Sequence, residues 1–328
     1  MFSIEVSAIK KQFGPLTAVD EVSFDVREGE VFGFLGPNGA GKTTTINILC
    51  TLLRPTSGSA KVAGYDVVTQ RNAVRQSIGL VFQDPSLDDQ LTALENLRFH
   101  AYVYNLPGNE RSRRIDEVLR VVELSDRRDA VVKTFSGGMK RRLEVARGLL
   151  HRPRVLFLDE PTLGLDPQTR EHIWSYIFEL QREHQITIFM TTHYMEEAEH
   201  CNRIAIIDRG KIVALDTPEA LKRMVGADIV SVRTSDNERA AGEIRERYQL
   251  EPIREDSRLR MEVPNAAEFI PRLVYELGVP VESVDLHRPT LDDAFLKLTG
   301  HAIRDADADP TAMLRLQGRI WGRGNRSR

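Results

Sequence analysis

The sequence is short of cysteine, of long apolar runs and of any surplus of basic charge, and each shortage removes a class of function. Its two cysteines, Cys50 and Cys201, stand far apart and outside any metal-ligand spacing, which leaves no thiolate metal module and suits a reducing compartment. No apolar run approaches the roughly eighteen residues of a membrane span. A membrane process would therefore draw its spanning segments from other chains. The 45 Lys and Arg residues are balanced by 48 Asp and Glu, a net charge of −3, without the basic footprint of a nucleic-acid binder. The chain opens on strand-like Phe2-Ser3-Ile4-Glu5-Val6 and has no signal-peptide layout at its start. What remains is ordinary folded composition, 41% hydrophobic and 28% charged over 328 residues, enough for one sizeable α/β core and a smaller unit.

The most informative stretch is Gly36-Pro37-Asn38-Gly39-Ala40-Gly41-Lys42-Thr43-Thr44. It follows the apolar run Val31–Leu35 and leads into a helical pattern carrying Ile46, Leu49, Leu52 and Leu53. Strand, glycine-rich loop and helix together form the setting in which G-x-x-x-x-G-K-[ST] cradles phosphate. The glycines admit a close backbone approach, and the helix N-terminus turns its amides and positive dipole end toward the anion. Lys42 supplies a point charge for the β- and γ-phosphates, and the Thr43 hydroxyl is the expected Mg²⁺ ligand.

Further strands end in polar groups. Ile78–Phe82 is apolar and stops at Gln83. Val155–Leu158 reads as a strand buried on both faces, hence part of a parallel sheet, and ends in Asp159-Glu160. Asp159 takes the place of a metal-supporting acid, and Glu160 is placed to polarise a water aimed at the γ-phosphate. Ile186–Met190 ends at Thr191-Thr192-His193, where the histidine is either a satisfied structural residue or a ligand group. Convergence of such ends favours the second, since open α/β sheets bind ligands at the carboxyl ends of their strands. Phe13 is either a cap on the core or a platform for a purine ring.

From Leu91 to about Leu150 the pattern is helical, interrupted by Thr134–Met139. Ser136 is an N-cap candidate there, and Gly137-Gly138 leave the helix end bare. Lys140, Arg141 and Arg142 read as the solvated face of that helix. Pro161–Pro167 is a tight loop carrying Asp166. A helix near Pro218–Met224 closes the first domain. Residues 228–287 then follow a β-α-β-β-α-β order and carry no catalytic constellation. The tail after Gly300 is expected to be disordered or to pack on the chain itself.

With these motifs in this order, the chain resembles the nucleotide-binding subunit of ATP-binding-cassette (ABC) transporters over residues 3–225. Ser136–Arg142 and Pro289–Phe295 make it similar to the daunorubicin-resistance type. The resemblance implies an α/β P-loop NTPase fold: a RecA-like core, an antiparallel β subdomain and an inserted helical subdomain at about 86–150, within a cassette at 1–225. A small α+β accessory domain at 226–300 and a tail at 301–328 would follow. It also implies an ATPase subunit of an exporter, peripheral at the cytoplasmic face of the membrane, with ATP and Mg²⁺ as cofactors. Its partners would be a second copy, head to tail, and separate permease chains, with no nucleic acid. Phe13 would stack on adenine. Gly36, Pro37, Asn38, Gly39, Ala40, Gly41, Lys42, Thr43 and Thr44 would hold phosphates and metal. Gln83 would sense the metal, and Ser136, Gly137 and Gly138 would contact the γ-phosphate bound by the partner. Asp159 would support Mg²⁺, Glu160 would be the general base, Asp166 would lie at the dimer seam and His193 would clamp the γ-phosphate. Met139 departs from the Gln usual there, removing an amide near the partner's ribose. A soluble ABC ATPase and a nucleotide switch without hydrolysis are the alternative functions. The single phosphate loop and the lack of heptads count against the first, and Glu160 against the second.

Overall fold

The computed structural model describes residues 1–83, 86–255 and 258–300. The chain divides into two compact units, Met1–Leu215 and a second beginning at Asp216.

The first unit runs through β1 (Phe2–Phe13), β2 (Leu16–Arg27), β3 (Val31–Leu35), α1 (Lys42–Leu49), β4 (Ser57–Val62), β5 (Tyr65–Asp66), α2 (Arg71–Ser77) and β6 (Ile78–Val81). It continues with α3 (Ala93–Val103), α4 (Gly108–Val121), α5 (Gly137–Leu149), β7 (Val155–Asp159), α6 (Pro167–His184), β8 (Thr187–Thr192), α7 (Met195–Ala198), β9 (Arg203–Asp208) and β10 (Lys211–Asp216). The second unit holds α8 (Pro218–Arg223), β11 (Asp228–Thr234), α9 (Asn237–Tyr248), β12 (Ile253–Glu255), β13 (Arg258–Val263), α10 (Ala266–Glu276), β14 (Val281–His287) and α11 (Leu291–Thr299).

A six-stranded sheet in the order β10-β9-β3-β8-β7-β6 forms the centre of the first unit. Strands β3, β6, β7, β8 and β9 run parallel. β3, β7 and β8 are buried along their whole length, as expected for strands covered on both faces. An antiparallel sheet, β2-β1-β4-β5, packs against it. The join is aromatic. Phe24 of β2 lies 5.4 Å from Phe32 and 5.5 Å from Phe34 of β3, and Phe189 of β8 meets Phe32 at 5.6 Å and Phe157 at 5.5 Å. These offset ring contacts add directional preference to apolar burial. They fix the floor on which the phosphate loop stands.

The strands' carboxyl ends fall in one row. Leu35 pairs with Thr192, Asp159 with Thr191, and Val81 with Leu158. The helical stretch α3–α5 lies between β6 and β7 in sequence.

β1 runs through Phe13, and the turn into β2 comes at Gly14-Pro15. Two details differ from the sequence reading. α1 stops at Leu49 because Thr51 adopts a left-handed backbone, so Leu52 is exposed instead of facing inward. The units divide at Asp216, ahead of the expected boundary at 225, because α8 packs on α11 and Lys297 Nζ donates to the carbonyls of Met224 (3.1 Å) and Val225 (2.7 Å). The second unit is an antiparallel sheet, β12-β13-β11-β14, with an apolar core that takes in Ala240, Ile244 and Leu273 from α9 and α10. This is the anticipated β-α-β-β-α-β order with α11 added. The expectation for the tail lies outside the described residues.

Candidate functional site

The loop from Gly36 to Gly41 carries the chain from β3 into α1. Gly41 caps the helix with φ 107°, a conformation closed to residues with a side chain. A Cβ at Gly36 would run into the carbonyl of Ile207. Both positions therefore need glycine. The first-turn amides of α1 have no intrahelical acceptor and surround the end of the loop. Lys42 is 4% exposed. Its ammonium donates to the carbonyls of Gly36 (2.6 Å) and Pro37 (3.2 Å) and lies 3.1 Å from Glu160 Oε1. Burial pulls the Lys42 pKa below its ordinary value, with the Glu160 charge opposing.

The carboxylates sit at the end of β7. Asp159 Oδ1 accepts from the Thr191 hydroxyl at 2.5 Å and from the Thr43 hydroxyl at 3.4 Å. Burial raises the Asp159 carboxyl despite these bonds. Thr43 and Asp159 thus present adjacent hard oxygens, the donor type that Mg²⁺ takes alongside phosphate oxygens. Glu160 is 7% exposed and has a left-handed backbone, φ 44°. Its amide donates to the Thr191 hydroxyl at 3.1 Å. His193 Nδ1 lies 3.4 Å from Glu160 Oε1. Burial works to raise the Glu160 carboxyl, but His193 and the Lys42 charge outweigh it, and its pKa falls below the ordinary value. Behind the histidine, Tyr194 packs at 4.1 Å between ring centres, with the Arg170 guanidinium 4.0 Å over the tyrosine ring.

Lys42, Thr43, Asp159, Glu160 and His193 are therefore one cluster. Ser136 is elsewhere. It caps α5, accepting from Met139 N at 3.2 Å, and with Gly138 it lines a cleft whose other walls include Arg142, Thr169, His172 and Tyr176. None of the phosphate-loop or carboxylate residues lines that cleft. Asp166 is exposed and caps α6 through Thr169 N at 3.0 Å; the Thr169 hydroxyl and amide hold its carboxyl below its ordinary value. Gln83 is exposed just beyond β6. Phe13 ends β1, half-buried, with Lys11 Nζ 5.0 Å from its ring centre.

Arg141 corrects the expectation that Lys140–Arg142 are all solvated. It is buried, because it faces the carboxylate strand and pairs with buried Glu144 at 2.9 Å. Thr191 and Glu197 were not anticipated as part of the site. Glu197 accepts from the Thr192 hydroxyl at 2.6 Å and from the Thr162 hydroxyl, bracing the end of β8 against the loop after β7. Two threonines closing an apolar strand were a visible signal for Thr191. Glu197, one acid in the run Glu196-Glu197, gave none.

The sequence profile described as ABC transporter matches residues 19–163. A daunorubicin resistance ATP-binding protein of Streptomyces coeruleorubidus is 38% identical over 95% of this chain and 99% of its own length. This chain belongs to the ABC transporter family. The linearmycin resistance ATP-binding protein of Bacillus subtilis is 38% identical over 92% of the cassette chain and 100% of its own. The Nod factor export ATP-binding protein I of Ralstonia nicotianae is 37% identical over 92% and 95%. Among solved structures, a dimeric ATP-binding cassette in a post-hydrolysis state with ADP and Pi is 29% identical, with TM-score 0.59 over 65% of this chain and 98% of that one. An ABC transporter subunit from Clostridium perfringens is 26% identical, with TM-score 0.64 over 76% and 96%. The cassette has the α/β ABC fold and is an ATP-hydrolysing subunit. Among the described residues no helix is long and apolar enough to cross a membrane.

Proposed function

We propose that two copies of this cassette close head to tail around two Mg·ATP and drive a separate permease that exports drug-like or other hydrophobic cargo, working at the cytoplasmic face of the membrane. The observation that carries this reading is a division within one chain. Lys42, Asp159, Glu160 and His193 share one cluster, while Ser136 and Gly138 line another cleft. Each chain then offers two unlike half-sites, and an antiparallel pair of chains completes both. The relatives named for daunorubicin resistance, linearmycin resistance and Nod factor export support the export of such cargo.

In this reading the loop amides and Lys42 bind the polyphosphate, which competes with the Gly36 and Pro37 carbonyls and Glu160 for the ammonium. Thr43 and Asp159 would hold Mg²⁺, which would neutralise phosphate charge. Glu160 takes a proton from a water as that oxygen bonds to the γ-phosphorus and the bond to the β,γ-bridging oxygen breaks, leaving ADP and phosphate. His193 beside Glu160 steadies the carboxylate and donates toward the γ-phosphate. Ser136, Gly137 and Gly138 meet the γ-phosphate of the facing chain, Asp166 lies at the seam, Phe13 stacks on adenine, and Gln83 couples the metal to the permease. Positioning and electrostatics supply most of the catalysis in phosphoryl transfer.

Glu160→Gln tests this. The expected result is an ATP-bound dimer by size-exclusion chromatography, with turnover lost. A monomer at saturating Mg·ATP, or turnover at the wild-type rate, counts against it.

A further inference from the structure

A guanidinium lies directly behind the two carboxylates, and all of its hydrogens are in use. Arg141, 6% exposed, donates from Nε to the Pro161 carbonyl (2.5 Å) and from Nη1 to the Phe82 carbonyl (2.5 Å) and Glu144 Oε2 (2.9 Å). Nη2 lies 3.3 Å from the Asp159 carbonyl and 3.4 Å from that of Glu160. Five N–H groups in a planar fork meet five acceptors.

Three of those acceptors are the consecutive carbonyls of residues 159–161. They span the turn in which Glu160 takes φ 44°, a region that residues other than glycine enter rarely and keep only when their surroundings enforce it. The fourth is the carbonyl immediately before Gln83. Glu144, the fifth, also accepts from the Ser86 amide at 2.8 Å, so the Arg141–Glu144 pair grips the chain on both sides of Gln83. Arg141 sits on α5, the helix capped by Ser136.

We propose that Arg141 is a positioning residue for hydrolysis. It holds the 159–161 turn so that the Glu160 carboxylate faces Lys42 and His193, and it ties that turn to the helix carrying Ser136 and Gly138. A lysine here keeps the charge but cannot span a row of carbonyls. This rests on the reading of Glu160 as the general base.

The experiment measures ATPase kinetics and fluorescent-ATP binding for Arg141→Lys in the full chain. The expected result is a kcat lower by roughly ten- to a hundredfold, the scale of a misplaced catalytic group, with nucleotide affinity weakened by no more than about threefold, because the phosphate loop is untouched and a displaced Glu160 competes less for Lys42. A kcat within twofold of wild type overturns the proposal, as does a loss of affinity in parallel with kcat. A double-mutant cycle adds a readout that general destabilisation would not move. In the Glu160→Gln background, Arg141→Lys should leave the residual single-turnover rate unchanged; an equal further fall overturns the proposal. If Arg141→Lys does not fold, Glu144→Gln, which frees one corner of the fork, should show a smaller kcat fall at retained affinity, and wild-type kcat there overturns it. Wild-type turnover in Glu160→Gln alone defeats the general-base reading itself. An inactive Glu160→Gln beside a fully active Arg141→Lys defeats only the role of Arg141.

Discussion

Lys42 and Glu160 neutralise each other across 3.1 Å in the free chain, both largely buried. In the proposed reading ATP competes with that pair, and two outcomes follow. Removing the ammonium in Lys42→Ala should abolish measurable ATP binding by fluorescent-analogue titration. Removing the competing charge in Glu160→Gln should tighten ATP binding by roughly tenfold, about 1.4 kcal/mol of lost competition. Unchanged affinity in either variant would contradict the arrangement. The pH dependence follows from the same pair. Burial lowers Lys42 below its ordinary 10.5, so on the alkaline side it loses its charge before an exposed lysine does. A bound polyphosphate favours the charged form. ATP affinity should therefore fall as pH rises through the depressed value, short of 10.5. Glu160 lies below 4.5, so its own protonation gives the free chain no acid limb above that pH. Titrations from pH 6 to 10.5 with a parallel melting curve check both statements, and a flat profile to 10.5 would refute the first.

Among elements, α5 shows what was legible locally and what was not. Its start was readable, because Ser136 caps the helix through contacts three residues away and capping is a local interaction. Its facing was not. Arg141, Glu144 and Arg147 recur every three residues on a buried face, where Arg147 donates to Leu80 O at 3.2 Å and to Ser86. Three charges in that spacing look like an exposed stripe until the chain that receives them is known. The same helix packs tightly on β6, where a Cβ at Gly79 would overlap the Gly148 carbonyl. Gly79→Ala should cost about 1–3 kcal/mol through overpacking. That corresponds to a fall in Tm of roughly 2–12 °C for a unit of this size, and a scanning-calorimetry Tm within 1 °C of wild type would show that the backbones separate easily.

For the whole molecule, the division at Asp216 makes truncation a sharper test than the sequence allowed. A chain ending at Leu215 should bind ATP and melt cooperatively, since the phosphate loop, the carboxylates and His193 all lie before that point. A chain ending at 226 keeps α8 without the α11 on which it packs, exposing Leu221, which is fully buried in the complete chain. It should be less soluble than the shorter one. Equal behaviour of the two by size-exclusion chromatography would argue against α8 belonging with the second unit.

The sequence alone showed the phosphate loop, the two carboxylates and the histidine of the candidate site, but not Thr191, Glu197 or Arg141. A glycine loop before a lysine, acids at the end of an apolar strand and a histidine after another are signatures written in contiguous residues, because strand ends and helix caps depend on near neighbours. Tertiary structure decided how those groups meet: the Lys42–Glu160 pair, the Thr191 hydroxyl under Asp159, and Arg141 behind the carboxylates all join residues 18 or more positions apart. Such contacts exist only once the strands lie in register and exclude water, and burial then turns charges that would be solvated in the open chain into fixed partners.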